Sequence, residues 1–527
     1  MGEEQYNLFF TERLNSNGKS LNDTIKRNKF PLFNNRHTKA ASNDKQQIAS
    51  LKEDRSLFSK LYVSCQVRNG DIDEFFRHEN QSSPPSLSQG GSLRHGEKSA
   101  LMPLIEKLSP CHSSEKPCVD ALLLDGAAVV NRLKPAGVRT FQDYANDIFL
   151  PFVKHHLQSV SRLDVVWDQY LPNSLKASTR RLRGKGIGRH VKPTTRIPAN
   201  WESFLGCNEN KRELFNFLAD CVTANDMSNE GKYILSTKED RVVCTPTTLD
   251  IKSISPSSQE EADTRLFLHA KDAVNAGHVN LMISTVDTDV VVLAIALFDT
   301  IQPSELWISF GTGDRFRYIA IHNIANALGP KCKALPAFHA ISGCDTTSSF
   351  HQKGKKSAWD TWQLFDDVTE AFVKVWEVPS VDRIKELMPL FEQFIIFMYD
   401  KTSTCSSVDE ARKDLFTRKG RSIDLIPPTS AALLQHVKRS AYQAGHVWGQ
   451  ALVSSPALPT PAEWGWSKIS EEWHPLWSTL QQASVSCMEF MKCGCNPDKG
   501  CRGRCKCLKN QLVCTTLCKC GGDCERL

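Results

Sequence analysis

Three short apolar runs that each end in aspartate constrain this chain more than any other feature. ALLLD (121–125), LDVVWD (163–168) and VNLMISTVD (279–287) have the length and apolarity of buried strands. ELWISF (305–310) reads as a fourth. Helical patterns lie between them, around 144–160, over 208–224, and in EEADTRLFLHAKDAVNAG (260–277), which closes on a glycine. Strands alternating with helices imply an α/β fold: a parallel twisted sheet with helices on both faces, expected over 119–360.

The rest of the 527 residues has a different texture. The whole is 40% hydrophobic and 24% charged, with a net charge of +6, which excludes wholesale disorder. Residues 1–118 are expected to be a partly disordered extension, polar over 1–50, with linker composition in NQSSPPSLSQGGSLRHGEKS (80–99) and a short helix near 101–108. Residues 361–453 read as a helical extension, clearest in the amphipathic SAALLQHVKRSAYQAGHVWGQ. A Pro- and Trp-rich linker segment follows over 454–486; its Trp464, Trp466, Trp473 and Trp477 are expected to pack a helix onto the body rather than stack on bases. The longest apolar run, Val290 to Phe298, is too short to span a bilayer. MGEEQYNLFF lacks the pattern of a signal peptide, Tyr6 removes a myristoylation reading, and the final Cys524-Glu-Arg-Leu has prenylation spacing with a charged middle and is discounted. A soluble intracellular protein with no membrane partner is expected.

Parallel sheets bind ligands beyond the carboxyl ends of their strands. Asp125, Asp168 and Asp287 stand at such ends, with Asp289 two residues on; Glu261 and Asp263 open a helix, and Asp345 lies in HAISGCDTTSSF. Carboxylates gathered at one edge repel each other unless cations separate them. An all-oxygen donor set suits Mg²⁺ or Mn²⁺. Two such ions can activate a water and stabilise the leaving oxygen in phosphodiester cleavage. Each acid also has a structural alternative. Glu261 would close a capping box with Ser258 or pair with Arg265. Asp287 or Asp289 would cap the following helix, and Asp125 before Gly126 would make a turn. His339 and Cys344 have no orienting third group; they read as packed residues rather than a thiol-protease pair.

The order of these acids resembles the PIN-like flap-endonuclease superfamily: Asp after the first strand, Asp after the second followed by a basic stretch, Glu-Ala-Asp on a helix, Asp-x-Asp after a strand, then Gly-Cys-Asp. The resemblance implies a metal-dependent, structure-directed nuclease. Asp125, Asp168, Glu261, Asp263, Asp287, Asp289 and Asp345 would hold two Mg²⁺ or Mn²⁺ ions. The basic stretch from Lys176 to Arg196 has eight Lys/Arg and no acid. By the same resemblance it is an arch, near 170–200, that gates single-stranded nucleic acid, with Lys176, Arg180, Arg181 and Arg183 at the scissile phosphate and Lys185 beside them. Its alternatives are a solvated surface or a nuclear-localisation signal. Three departures stand out. The first predicted strand begins only at Ala121, where the family has a free terminal glycine beside its site. The helix motif is Glu-Ala-Asp rather than Glu-Ala-Glu. SSFHQKGKKSAWD shows no glycine-rich hairpin for gripping duplex DNA.

Nine of the 19 cysteines fall between Cys493 and Cys524. They are Cys493, Cys495, Cys501, Cys505, Cys507, Cys514, Cys518, Cys520 and Cys524, with core spacing C-x3-C-x-C-x6-C-x3-C-x-C-x3-C. Nine thiolates suit about three tetrahedral Zn²⁺ ions when some sulfurs bridge, and the metal would supply folding energy that so short a segment cannot draw from a core. A disulfide knot needs an oxidising compartment, to which nothing routes the chain. Isolated cysteines such as Cys65, Cys221 and Cys332 read as buried apolar residues. The module, 487–527, resembles the tesmin-type CXC family, which implies DNA binding or partner docking. Its lysines and arginines exceed its acids by four, yet about three negative charges of a three-zinc, nine-thiolate cluster would absorb much of that excess.

Taken together, a nuclease acting on nucleic acid, DNA in preference to RNA, is expected, with a zinc tail for DNA or partner docking and a nuclear location. The alternatives are a catalytically inactive nucleic-acid-binding or chromatin-associated protein and a protein-interaction scaffold. The combination also resembles mobile-element-associated gene products.

Overall fold

A computed structural model describes residues 7, 10–15, 71–109, 115–171, 174–176, 188–224, 231–418, 421–470, 472–481, 492–496, 501, 505–509, 514 and 518–520. The chain divides into two compact units, Met1–Glu53 and Asp54–Leu527. In the first, Thr11–Asn15 forms a single helical turn.

In the second unit a short helix, Ile72–Arg77, precedes a short antiparallel hairpin, β1 (Ser88–Gln89) and β2 (Ser92–Leu93). Seven further strands form the central sheet: β3 (Ala121–Asp125), β4 (Arg162–Val166), β5 (Tyr233–Lys238), β6 (Arg241–Thr245), β7 (Asn280–Thr285), β8 (Glu305–Phe310) and β9 (Arg317–Ala320). Their order is β6-β5-β4-β3-β7-β8-β9. The five central strands are parallel, and the edge strands β6 and β9 return antiparallel on β5 and β8. From β3 the chain builds outward through β4 and β5, then crosses back to lay β7 on the other side of β3. That reversal leaves a crevice beyond the carboxyl ends of β3, β4 and β7, the place where open α/β sheets bind ligands.

Alternate side chains of β3 serve opposite faces. Leu122 and Leu124 join the core with Val129, Phe149, Val153 and Leu218. These come from α1 (Gly126–Arg132), the helical run ending in α2 (Leu150–Gln158), and α3 (Asn208–Ala224). Leu123 joins Leu266, Phe267, Val291 and Ile295 on the other face, from α4 (Ala262–Asn275) and α5 (Thr288–Ile301). Helices thus cover both faces. The second of these cores runs on without a break into the C-terminal helices, where Trp362 stacks on Phe338 at 4.7 Å beside Phe372. Cys221 and Cys332 are buried, as their isolation suggests. No helix among the described residues is long and apolar enough to cross a membrane.

Two segments depart from expectation. Residues 80–99 have linker composition but pack on the body: Leu87 is fully buried, and His351 and Ser349 donate backbone N–H groups to Ser86 and Arg94. The Trp-rich segment does pack, but as a hairpin rather than a helix, with β10 (Trp466–Ile469) paired to β11 (Glu472–Pro475). Trp464 and Trp466 are buried, and the buried Arg439 guanidinium lies over the Trp477 ring while donating to the Gly465 and Leu476 carbonyls.

The join between β3 and α1 is tight. A Cβ added at Gly126 would lie 2.1 Å from the Trp167 ring. Gly126→Ala is therefore expected to cost about 1–3 kcal/mol in urea unfolding. Gly188→Ala, with nothing within 4 Å, is expected to be near neutral; equal effects of the two would contradict this packing.

Candidate metal centre

All seven sequence-predicted acids gather at the crevice. Asp125, Asp168, Glu261, Asp263, Asp287 and Asp345 line one cleft of about 760 Å³, and Asp289 lies buried behind Asp287. One oxygen each from Asp263, Asp287 and Asp289 lie within 4.8 Å of one another.

Local chemistry sets each carboxylate. Asp125 ends β3 and caps α1: its Oδ1 accepts from Ala128 N–H (3.0 Å) and its Oδ2 from the Thr285 hydroxyl (3.1 Å). Asp287 caps α5 by accepting from Asp289 N–H (2.8 Å). The capping alternative is thus true of Asp287, Asp125 caps a helix where a turn was expected, and each still faces the cleft. Glu261 precedes α4 without a side-chain capping bond, and Arg265 donates instead to the Glu239 and Arg241 carbonyls. Glu261 pairs with Lys176. Asp168 accepts from Ala262 N–H (2.9 Å), which ties the end of β4 to the start of α4.

Two residues that sequence reasoning missed sit in the centre. Lys98 Nζ lies 2.8 Å from Asp287, 3.3 Å from Asp289 and 3.3 Å from Asp345. It comes from the segment whose composition looked like a linker, so no sequence signal pointed to it. His339, noted only beside Cys344, is fully buried, and its Nε2–H donates to Asp289 Oδ1 (2.9 Å). Burial and nearby Lys355 push His339 down to about 4, which keeps it a neutral donor. Lys355, also buried, donates to the His339 carbonyl (2.6 Å) and the Ser342 hydroxyl (2.9 Å), bracing the turn that carries Asp345. Cys344 lies against the Thr347 hydroxyl at 3.1 Å, a packed residue.

The electrostatics record crowding. Burial, with Asp168 next, pushes Asp125 up to about 7. Burial also pushes Glu261 up to about 7, against the pull of Lys176. Burial, Asp287 and Glu261 hold Asp263 well above the usual carboxylate range. Asp289 is the exception: burial would raise it, but Lys98 and His339 outweigh that and hold it low. A pocket of acids forced toward protonation at neutral pH is short of positive charge. Its all-oxygen donor set fits hard divalent cations rather than zinc.

Of the predicted arch, Lys176 is brought to this cleft; Arg180, Arg181, Arg183 and Lys185 lie outside the described residues. In the tail, eight of the nine cysteines are described, and Cys524 lies outside. Cys493, Cys501, Cys505 and Cys514 form one potential four-sulfur set, and Cys493, Cys514, Cys518 and Cys520 another. The closest sulfur pairs lie 3.5 to 3.8 Å apart, as in Cys493–Cys520 and Cys493–Cys514. A disulfide needs about 2.05 Å, whereas tetrahedral Zn–S bonds of about 2.3 Å hold sulfurs about 3.8 Å apart. The described tail is therefore a thiol cluster of zinc dimensions, with Cys493 and Cys514 shared between the two sets.

No protein-family model matches the chain, and no curated protein matches it. Among solved structures, the catalytic core of Rad2 in complex with DNA substrate (complex IV) aligns at 12% identity and a TM-score of 0.29, covering 65% of this chain and 100% of that one. Complex III of the same protein aligns at 14% identity and a TM-score of 0.29, covering 62% and 97%. A likeness this loose places no residue of this chain.

The crowding has a pH signature. In chelator-treated protein, Asp125 binds a proton when folded up to about 7 but releases it near 3.8 when unfolded. Its stabilising share is therefore present at low pH and lost as pH rises through about 7. Asp125→Asn is expected to be more stable than wild type at pH 8 in urea unfolding, with the gap narrowing below pH 7 and closing only as pH falls to about 4. A gap independent of pH would contradict the raised value.

Proposed function

We propose that the protein is a metal-dependent nuclease of the PIN-like flap-endonuclease kind, hydrolysing phosphodiester bonds in nucleic acid. One observation carries this reading: seven carboxylates from five separate chain segments converge on one crevice at the sheet's switch point, where they outnumber the cations that the described residues bring to it. Asp263, Asp287 and Asp289 would hold one divalent ion, and Asp125, Asp168 and Glu261 would complete the site for a second. Such ions would generate the nucleophile from water and neutralise the leaving oxygen. His339 fixes the orientation of Asp289, and Asp125 and Asp287 are fixed by the helices they cap. The basic stretch after β4 would steer the phosphate backbone into the cleft. The zinc tail would dock DNA or a protein partner, and the nucleus is the compartment that suits such a substrate.

Cleavage of end-labelled single-stranded, flap and duplex DNA and RNA with Mn²⁺ or Mg²⁺ tests the reading. Wild type is expected to cut DNA in preference to RNA, and Asp287→Asn and Asp289→Asn to lose at least about 100-fold. His339→Ala, which removes the hydrogen bond that supports Asp289, is expected to lose about 10–100-fold. Metal-dependent cutting unchanged in all three variants would rule this site out. For the tail, elemental analysis of purified protein is expected to give about three zinc ions per chain; one or none would contradict the cluster.

A specific observation favours a second reading, a nucleic-acid-binding protein that no longer cuts. Lys98 already supplies a positive charge to three of the acids. Tight, salt-sensitive binding without cleavage is its expected result.

A further inference from the structure

Lys98 is the only side chain outside the acidic set that reaches Asp287, Asp289 and Asp345 together among the described ion pairs. Its ammonium sits where a cation would bring these three carboxylates together. It is not on a loose arm. Lys98 opens the short helical turn Lys98–Leu101, and Leu101, Met102 and Ile105 behind it are buried in the core shared with α5. On the other side, Ser349 N–H donates to the Arg94 carbonyl (2.8 Å) and His351 N–H to the Ser86 carbonyl (2.7 Å). A Cβ at Gly96 would lie 2.7 Å from Ser349 Cβ, so the backbone two residues before Lys98 is pressed against the turn after Asp345. The segment 84–101 is therefore built to deliver one ammonium group to one place.

The chemistry of that place is competitive. A lysine ammonium is a compact point charge on a flexible stem. It neutralises the acids without filling the coordination shell that a divalent ion demands. The stem can withdraw without moving its anchored backbone, and Lys98 is partly exposed, so it has somewhere to go.

We propose that Lys98 is an internal counter-cation of the acidic cleft, competing with a divalent metal ion for Asp287, Asp289 and Asp345 and leaving them when the ion binds. This rests on the metal-site reading above. It adds that metal uptake is set by displacement of a residue of this chain's own extension. The cleft would thus hold its acids together before any ion arrives, and take up metal only where the ion outcompetes the lysine.

The test is Mn²⁺ binding to full-length protein by calorimetry, comparing wild type with Lys98→Met, which keeps the stem and removes the charge. Lys98→Met is expected to bind Mn²⁺ at least tenfold more tightly and to gain a larger Mn²⁺-induced rise in melting temperature. Affinity unchanged or weakened in Lys98→Met would overturn the proposal while leaving the metal site standing. No Mn²⁺ binding by either protein would overturn the proposal and the metal site together. Should Lys98→Met fail to fold, lysine acylation of wild type read by mass spectrometry decides. Lys98 is expected to be protected without Mn²⁺ and to become several-fold more reactive with it, and equal reactivity in both conditions overturns the proposal.

Discussion

Mutual repulsion among carboxylates at the mouth of a parallel sheet is the constraint around which the rest of this structure is arranged. Strand β3 enters the middle of the sheet, and the chain then builds first to one side and later to the other. That topology alone brings Asp125, Asp168 and Asp287 to one edge. Helix starts add Glu261, Asp263 and Asp289. Backbone N–H groups of Ala128, Ala262 and Asp289 relieve part of the repulsion that results. Side chains add to this: Lys98 from far away in sequence, Lys176 from the stretch after β4, and the neutral donor His339. The helical C-terminal region shares the core that carries His339 and braces the Asp345 turn through Lys355. It is thus part of the support of the cleft.

Helix capping resolves an apparent conflict. Asp125 and Asp287 each satisfy backbone donors at a helix start, and a purely structural role would seem to account for them. Yet each carboxylate oxygen has more than one lone pair, so a cap does not exhaust the carboxylate, and both residues line the cleft. Structural and chemical roles therefore coincide, because the feature that orders the side chain also aligns it. Asp289 is held from both sides, with His339 on one oxygen and Lys98 on the other.

Much of this was legible in the sequence, for identifiable reasons. β3, β7 and β8 are apolar runs of strand length, and α3 and α4 are clean helical patterns, so the central layers could be read directly. β5 was missed because half of it is polar: Ser236 and Thr237 are fully buried, satisfied by the Trp167 indole and backbone N–H groups. β6 and β9 are short edge strands, with little apolar signature to separate them from loops. Six of the acids were legible because their positions follow from strand ends and helix starts, and Asp345 only through the Gly-Cys-Asp motif. Lys98 was not, since its placement depends on how 84–101 docks against 349–351, a tertiary contact with no local pattern. The hairpin β10–β11 was misread for a related reason: tryptophans announce packing but not the element that carries them.

On the proposal made above, this acidic cleft would be a divalent cation site held together by the chain's own lysine until the ion arrives. Anomalous diffraction from crystals soaked in Mn²⁺ tests it most directly. The expected result is a manganese peak among Asp263, Asp287 and Asp289, with the Lys98 side chain withdrawn from all three of its acids. An empty cleft with Lys98 still paired to Asp287, at manganese concentrations that saturate ordinary carboxylate sites, would contradict it.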